Sequence, residues 1–271
     1  PRLKSMCGIV GYVGMRASQD VLMGGLKRLE YRGYDSAGVA ILSTDGGLLA
    51  HKRAGKLSVL ADDLDSRPLS SGTTGIAHTR WATHGAPTDA NAHPHLADGG
   101  KLALIHNGII ESFQELKAEL VAGGEEFLSE TDSEVAALML AREFRTHSNL
   151  TTAMQAVVGK LEGAFTLLAV HTNAPGVVVG ARRNSPLVVG LGDGENFLGS
   201  DVAAFVAYTQ KALALGQDQI VTITPESVSV ITFEGDPVTP SEFTIDWDAS
   251  AAEKGGWSSF MAKEISEEPE A

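Results

Sequence analysis

Apolar positions recur along the chain with two periods, and these predict a mixture of strands and helices. The run from Cys7 to Gly14 is apolar, β-branched and rich in glycine, which is typical of a buried strand. A helix is predicted from about Asp20 to Glu30, because its apolar residues recur at spacings of three and four. Further strands are predicted at 39–42, 48–53, 74–79, 101–106, 164–170, 176–180, 187–191, 219–224 and 227–233.

Helices are predicted mainly in the middle of the chain. Ser112-Phe-Gln-Glu115 and Thr131-Asp-Ser-Glu134 both fit the capping box that opens many helices. The first of these helices is expected to end at Gly123-Gly124, and a third amphipathic helix covers 153–161. Helices that are gathered in blocks, instead of alternating with strands, favour an α+β fold with two sheets covered by helices.

The end of the chain lacks such periodicity. From about Thr239 onward, aromatic residues lie among acidic and small ones. We therefore expect three parts: a leader or cloning remnant at 1–6, one domain at 7–240, and a wrapping tail that starts a linker at 241–271.

Composition and charge narrow the possible chemistry and partners. The 271 residues are 43% hydrophobic and 20% charged, as in globular proteins. The single cysteine, Cys7, excludes an intrachain disulfide, a C-x-x-C redox pair and a thiolate zinc cluster. The net charge of −13 disfavours nucleic acid and anionic lipid as partners. No run approaches the ~20 apolar residues of a membrane span, and 1–6 lacks the apolar stretch of a secretory signal, so we expect the reducing cytoplasm.

Cys7 is the first candidate for chemistry. A lone cysteine is usually a small buried hydrophobic residue. This one follows Met6 and starts a strand, so if translation begins at Met6, removal of that methionine leaves a free α-amino group beside the thiol. Such an amine titrates near ~7.7–8.0 and is a competent base at neutral pH. The alternative to a packing role is therefore nucleophilic catalysis without a histidine.

Three further segments also admit two interpretations each. In 78–85, Arg80 is either a solvated arginine at a strand end or, with Thr83 and His84, a clamp for a substrate carboxylate. Asn107-Gly108 is either a hairpin turn or an oxyanion hole made of a side-chain amide and a backbone N–H. Asp132 interacts with a helix dipole, with the ammonium of an amino acid, or with both.

The histidines and one glycine-rich turn raise two further chemistries. The chain has eight histidines but no H-E-x-x-H or zinc-finger spacing, so we expect no metal. Gly190-Leu-Gly-Asp-Gly194 lacks the third glycine of the dinucleotide fingerprint and the Gly-Lys pair of a phosphate loop, which makes a turn the simpler interpretation.

Six segments of the chain together resemble one family. They are Cys7-Gly-Ile-Val-Gly-Tyr12, Glu30-Tyr-Arg-Gly-Tyr-Asp-Ser-Ala-Gly38, His78-Thr-Arg-Trp-Ala-Thr-His-Gly85, Asn91-Ala-His-Pro-His95, His106-Asn-Gly-Ile-Ile110 and Ser129-Glu-Thr-Asp-Ser-Glu134. From Met6 to about Pro269 the chain is similar to the glutaminase domain of the glutamine–fructose-6-phosphate aminotransferases, or glucosamine-6-phosphate synthases. Cys-Gly-Ile alone fits any class II glutamine amidotransferase, whereas the segments at 31–35 and 79–84 resemble the aminosugar branch.

The resemblance implies an N-terminal-nucleophile hydrolase fold, a four-layer αββα sandwich, with 7–240 as the class II glutamine amidotransferase domain. It implies that Cys7 is the nucleophile and that Asn107 and Gly108 form the oxyanion hole. The residues implied to bind glutamine are Arg80, Trp81, Thr83, His84 and Asp132. Arg32 and His93 match positions that support the active site.

The implied activity is hydrolysis of L-glutamine to glutamate and ammonia through a thioester, without a cofactor. The ammonia would serve glucosamine 6-phosphate synthesis by a sugar isomerase domain that is missing here, and a homodimer through the full-length enzyme is a further implied partner. One alternative is a glutamine-binding module with little turnover, because 1–6 makes the α-nitrogen of Cys7 an amide. Another is the glutaminase half of a different class II amidotransferase, such as a phosphoribosylamine-forming or asparagine-forming enzyme.

Overall fold

Strand β1 (Gly8–Val13) is buried on both faces, and its alternate residues lie in two different cores. Ile9 and Val13 pack in a core between two sheets, whereas Val10 and Tyr12 pack in a core beneath helices. Burial on both faces explains why this run has no polar alternation. The computed structural model describes residues 7–69, 71–81 and 85–246.

One sheet has eight strands, with β1 near its centre. Its spatial order is β15 (Ser241–Thr244), β11 (Lys211–Ala214), β9 (Val188–Leu191), β10 (Asn196–Gly199), β1, β4 (Thr74–Arg80), β2 (Ser36–Leu42) and β3 (Leu48–Ala54). All of these neighbours are antiparallel, and the register of β1 against β4 places Gly8 opposite Thr79.

The second sheet has seven strands and is also antiparallel. Its order is β14 (Pro237–Val238), β13 (Val228–Thr232), β12 (Gln219–Ile223), β8 (Val178–Arg183), β7 (Gly163–His171), β6 (Leu102–Ile110) and β5 (His95–Ala97). The two sheets face each other across an apolar core that includes Ile76 from β4 and Ile105 from β6.

Helices cover the outer face of each sheet. Helices α1 (Ser18–Arg28) and α2 (Leu57–Ser66) pack on the eight-stranded sheet. Helices α3 (Phe113–Ala122), α4 (Asp132–His147) and α5 (Leu150–Val158) pack on the seven-stranded sheet. The four layers confirm the predicted α+β fold, a four-layer αββα sandwich. No helix within the described ranges is both long enough and apolar enough to cross a lipid bilayer.

Each strand and helix predicted above has a counterpart, but the structure adds several elements and changes some details. The unpredicted elements are α2, β5, β10, β11, β14 and β15. Strand β15 pairs with β11, so the eight-stranded sheet extends past the expected boundary at residue 240. The rest of the expected tail, 247–271, lies outside the described residues, as does the leader 1–6.

The capping boxes predicted at α3 and α4 are wrong. The Ser112 hydroxyl accepts a hydrogen bond from the backbone N–H of Glu162 instead of capping α3. The Glu134 carboxylate accepts from the backbone N–H groups of Leu128 and Ser129, which fixes the segment before α4. A capping-box sequence describes only local geometry, and here these side chains bond elsewhere.

Candidate active site

Three strands bring polar residues to one end of the core between the sheets. On β4, the inter-sheet face continues from Ile76 to His78 and Arg80, because side chains on one face recur every second residue. On β6 it continues from Ile105 to Asn107 by the same alternation. Cys7 lies two residues before Ile9 and immediately before β1 begins. The inter-sheet faces of the three strands therefore meet near the thiol.

Cys7 contacts residues from both sheets. Its Sγ lies 3.0 Å from the backbone nitrogen of Trp81, which donates to it, and 3.6 Å from the carbonyl oxygen of Trp81. Its own carbonyl oxygen accepts a hydrogen bond of 2.6 Å from Nδ2 of Asn107. The candidate nucleophile and the candidate oxyanion-hole amide are therefore joined directly.

Burial controls the protonation of the Cys7 thiol. Desolvation raises the pKa of Cys7 to about 11; the Asp35 carboxylate adds to this rise, whereas the Trp81 backbone N–H and the Arg80 guanidinium oppose it. At neutral pH the group is therefore a thiol, and it needs a base to become a nucleophile.

The first residues of β1 are held by two hydroxyl groups that the sequence analysis missed. The Gly8 backbone N–H donates to Oγ1 of Thr79 at 3.2 Å, and the Ile9 N–H donates to Oγ of Ser200 at 3.1 Å. A Cβ at position 8 would lie only 2.6 Å from that Thr79 oxygen, which accounts for the glycine after the cysteine. Thr79 belongs to the segment 78–85, which the sequence analysis singled out, whereas Ser200 is remote from that segment in sequence.

The orientation of the Asn107 amide follows from its neighbours. Its Oδ1 lies 2.9 Å from Nε2 of His78, and the same Nε2 lies 3.0 Å from the carbonyl oxygen of His106. Because a carbonyl oxygen can only accept, the His78 Nε2 carries the hydrogen, and Asn107 turns its oxygen toward it. The NH2 group of Asn107 faces Cys7.

The hairpin interpretation of Asn107-Gly108 is wrong, because both residues lie inside the nine-residue strand β6. Gly108 is exposed and has a φ of +119°, a conformation that side chains disfavour. A Cβ there would lie 2.0 Å from the carbonyl oxygen of Ala164. Glycine is therefore required at this position. The backbone of Gly108 remains exposed next to Asn107.

Arg80 is buried at the end of β4, and its guanidinium holds the loop that follows. It donates to the carbonyl oxygens of Gly85 at 3.2 Å and Ala86 at 3.4 Å. Asn91 ties the same loop to the segment before α4, because its Nδ2 donates to Ala86 and Glu130. The expected pocket residues Thr83 and His84 lie outside the described residues, as does the side chain of Arg32.

Trp81, whose backbone contacts the thiol, has a partly exposed indole. It makes an edge-on contact with the exposed ring of Tyr34, with ring centroids 4.9 Å apart. Tyr34 belongs to the segment 31–35 but was not among the predicted site residues. The two exposed rings pack against each other on the residue that follows β4 and on the segment that precedes β2.

Asp132 lies at the first turn of α4 and is buried. Its Oδ2 accepts from the backbone N–H of Ile110 at 2.9 Å, and its Oδ1 accepts from the Ser133 hydroxyl at 3.4 Å. The carboxylate thus fixes the end of β6, two residues after Gly108. Its expected role on a substrate ammonium remains a prediction.

His93 lies behind the site and not against the thiol. Its ring stacks on His78 at a centroid distance of 4.2 Å and contacts the ring of His95 at 4.7 Å. Burial, together with the cationic forms of the neighbouring histidines and Arg80, holds the pKa of His93 well below its usual range. No group of three or more potential metal ligands is found among the described parts of the chain.

Two cavities elsewhere lack this combination of groups. One of about 1260 Å³ is lined partly by Asn196, which pairs with Val13 at the far end of β1 from Cys7. Another of about 400 Å³ lies on β3, where Arg53 and Arg67 already pair with Asp63. At the Cys7 end of the inter-sheet core, by contrast, a thiol, a side-chain amide and a buried guanidinium come together.

Comparisons with known proteins show which families and folds the chain resembles. A family described as "Glutamine amidotransferase domain" matches residues 78–207. The chain is 68% identical to a glutamine–fructose-6-phosphate aminotransferase (isomerizing) of Leifsonia xyli subsp. xyli and 62% identical to that of Streptomyces coelicolor. In both alignments 98% of this chain matches 43% of the relative, so the chain spans less than half the length of these curated relatives.

A solved structure shows the same fold. The glutamine phosphoribosylpyrophosphate amidotransferase of B. subtilis matches with a TM-score of 0.71 and 24% identity, over 84% of this chain and 49% of that one. This likeness concerns the fold alone, and it agrees with the predicted four-layer αββα sandwich.

Proposed function

Because the chain contains a glutamine amidotransferase domain of the glutamine–fructose-6-phosphate aminotransferase family, we propose that it hydrolyses L-glutamine through a thioester on Cys7. The observation that carries this proposal is the contact of Cys7 with both Trp81 and Asn107. The thiol has an adjoining side-chain amide that can donate to a developing oxyanion.

In the proposed reaction, the Cys7 thiolate adds to the side-chain amide carbon of glutamine. The tetrahedral oxygen receives hydrogen bonds from the Asn107 NH2 and the Gly108 backbone N–H. The carbon–nitrogen bond then breaks, the leaving nitrogen takes a proton, and ammonia departs. Water adds to the thioester and releases glutamate, which restores the thiol.

The proposed base is the α-amino group of Cys7 itself. Since burial raises the pKa of the thiol to about 11, an amine with an ordinary pKa near ~7.7–8.0 must take its proton during the attack. An amide nitrogen cannot do this, so the mechanism requires removal of 1–6. If the Met6–Cys7 bond persists, the second candidate function applies: glutamine binding with little turnover.

The remaining predicted residues are proposed to hold the amino acid. Arg80 would grip the α-carboxylate together with Thr83 and His84, and Asp132 would bind the α-ammonium. Trp81 would cover the side chain. Arg32 and His93 are proposed as support for the site, His93 through its contact with His78.

The proposed destination of the ammonia follows the names of the relatives. We propose that it reacts with fructose 6-phosphate in a sugar isomerase domain outside this sequence, in a homodimeric full-length enzyme. The glutaminase step needs neither, so the chain that begins at Cys7 is expected to release glutamate on its own.

The test compares two forms of the chain: residues 1–271, with the bond verified by intact mass, and residues 7–271. The shorter form is expected to release glutamate and ammonia from glutamine, whereas the longer form binds glutamine by calorimetry with almost no turnover. Cys7→Ala in the shorter form is expected to abolish release while retaining binding. Undiminished release by Cys7→Ala would disprove the thioester, and equal rates for the two forms would disprove the amine as base.

A further inference from the structure

His78 occupies a position that the glutaminase mechanism leaves unassigned. It is fully buried on β4, and its side chain bonds to His106 and Asn107 instead of Cys7. Burial lowers the pKa of His78 to about 3, so the ring is neutral at the pH of the reaction. A neutral imidazole carries one hydrogen, and the two carbonyl-type acceptors around Nε2 place that hydrogen there.

The Asn107 side chain has two possible orientations that differ by exchanging its oxygen and nitrogen. In the observed orientation, the NH2 faces the Cys7 carbonyl at 2.6 Å and the oxygen faces the His78 Nε2 at 2.9 Å. The exchanged orientation would place two acceptors together at Cys7 and two donors together at His78. Both ends therefore select the same orientation, and His78 provides the selection at the oxygen end.

We propose that His78 is a positioning residue that holds the Asn107 amide with its NH2 directed at the reacting carbonyl oxygen of glutamine. The proposal rests on the glutaminase function proposed above. A neutral donor suits this task, because it fixes the amide without adding a buried positive charge that would need a partner of its own.

The neighbours of His78 support a fixed ring. His93 stacks on it at 4.2 Å, and Nε2 also donates to the His106 carbonyl in the main chain of β6. The His78 ring thereby joins β4 to β6 at the point where the two sheets supply the nucleophile and the oxyanion hole. A shift of β6 relative to β4 would move Asn107 and the His106 carbonyl together.

The test uses two substitutions in the chain that begins at Cys7. His78→Leu removes the donor, and His78→Gln keeps a side-chain N–H at a similar reach. Since loss of an oxyanion donor costs about 10²–10³-fold in kcat, loss of its orientation is expected to lower kcat about tenfold to a hundredfold. KM for glutamine is expected to stay within about threefold, and His78→Gln is expected to recover most of the rate.

A double-mutant cycle separates positioning from general damage. If His78 acts through Asn107, His78→Leu has little further effect, about twofold or less, in the Asn107→Ala background. Independent, multiplicative losses would overturn the proposal, as would a change confined to KM. The matched control is His171→Gln, a buried histidine that stacks on Phe144 and bonds Asp98 at the other end of β6, and it is expected to leave kcat unchanged.

A second measurement does not depend on activity. In ¹⁵N-labelled chain, the His78 ring is expected to show a protonated Nε2 and an unprotonated Nδ1 from pH 8 to pH 5, and the Asn107 NH2 signals are expected to shift in His78→Leu. An unchanged Asn107 signal would overturn the positioning role even if the chain released no glutamate. Absence of glutamate release by the unsubstituted chain, with these signals as expected, would instead disprove the proposed function.

Discussion

The two halves of the inter-sheet layer are built on the same strands and differ in what fills them. In one half, Ile76 of β4 and Ile105 of β6 contribute to an apolar core. Two residues further along each strand, on the same face, lie His78 and Asn107, which are joined by a hydrogen bond. Backbone geometry is shared, so the contrast lies in the side chains.

The apolar half and the polar half constrain the sheets differently. Apolar contacts are numerous and non-directional, so they determine stability more than the angle of any one group. Hydrogen bonds are directional, and a single wrong orientation leaves buried polar groups unpaired. We therefore expect stability and the proposed catalytic orientation to depend on adjacent but separable sets of residues.

The largest expected effect comes from the apolar half. Leu168 of β7 is fully buried and packs against Gly11 and Gly180, so it fills the space between the sheets. Leu168→Ala is expected to lower the free energy of unfolding by about 2–5 kcal/mol through the cavity it leaves. Urea unfolding measures this loss, and kcat per folded molecule should change little.

Leu96→Ala provides the control for that prediction. Leu96 lies on β5 and its side chain is 42% exposed, so the same substitution there should change stability by about 0.5 kcal/mol or less. If Leu168→Ala lowered kcat as strongly as it lowered stability, the separation between the two halves would be wrong.

The next effect comes from the polar half. Asn107→Ala removes a proposed oxyanion donor, so kcat for glutamine hydrolysis should fall about 10²–10³-fold, or about 3–4 kcal/mol in activation free energy. Its effect on unfolding should be smaller, about 1–3 kcal/mol, from the unpaired His78 and Cys7 groups. Steady-state glutamate release and urea unfolding measure the two.

A matched asparagine lies on β10, beside the end of β1 that is farther from Cys7. Asn196 of β10 is also buried, and its Nδ2 donates to the carbonyl oxygen of Thr224 at 2.7 Å. Asn196→Ala should lower stability by a similar amount without lowering kcat. Equal losses of kcat in both variants would show that buried amides act on activity only through the fold.

The sequence was sufficient where long apolar runs or dense motifs exist. Strand β1 was predicted from its continuous apolar, β-branched run, and helix α1 was predicted from its helical periodicity. Helix α2 was missed although Leu57, Leu60 and Leu64 recur at helical spacing, since Lys56 at its N-terminus is not a capping residue and gives no start signal. Short strands such as β10 and β15 have four residues each and no sustained pattern.

The supporting contacts of the site could not be predicted in the same way. Cys7 and Asn107 were predicted as partners, but the bond from Ile9 to Ser200 joins residues 191 positions apart. His78 and Asn107 are 29 positions apart and belong to different sheets. Such pairs depend on how two sheets stack, which no local pattern encodes.

A smaller effect tests the buried histidines through pH. The pKa of His93 lies well below its usual range, chiefly because of burial, so the folded chain keeps it neutral where the unfolded chain protonates it. Unfolded chains then bind more protons below about pH 6.5, and stability falls as the pH falls. His93→Phe removes this penalty.

Between pH 7.5 and pH 5, the unsubstituted chain is expected to lose about 2 kcal/mol more of its free energy of unfolding than His93→Phe loses. The ring nitrogens of His93 have no hydrogen-bond partner among the described residues. Replacing the imidazole by a phenyl ring of similar shape therefore breaks no hydrogen bond to those residues. Urea unfolding at both pH values measures the change. A difference that is the same at both pH values would contradict the neutral, buried state of His93.

The smallest expected effect concerns the hydroxyl that holds the start of β1. Thr79→Val keeps the shape but leaves the Gly8 N–H, which donates at 3.2 Å in the folded chain, without its acceptor. The expected loss is about 1 kcal/mol of stability, with kcat for glutamine falling about tenfold or less, because the shift reaches the nucleophile indirectly. Thr79→Ser restores the acceptor and should recover both quantities. If Thr79→Val lowered stability while kcat stayed unchanged, Thr79 would belong with the residues that stabilise the sheets, and the polar half would be limited to the groups around Cys7 and Asn107.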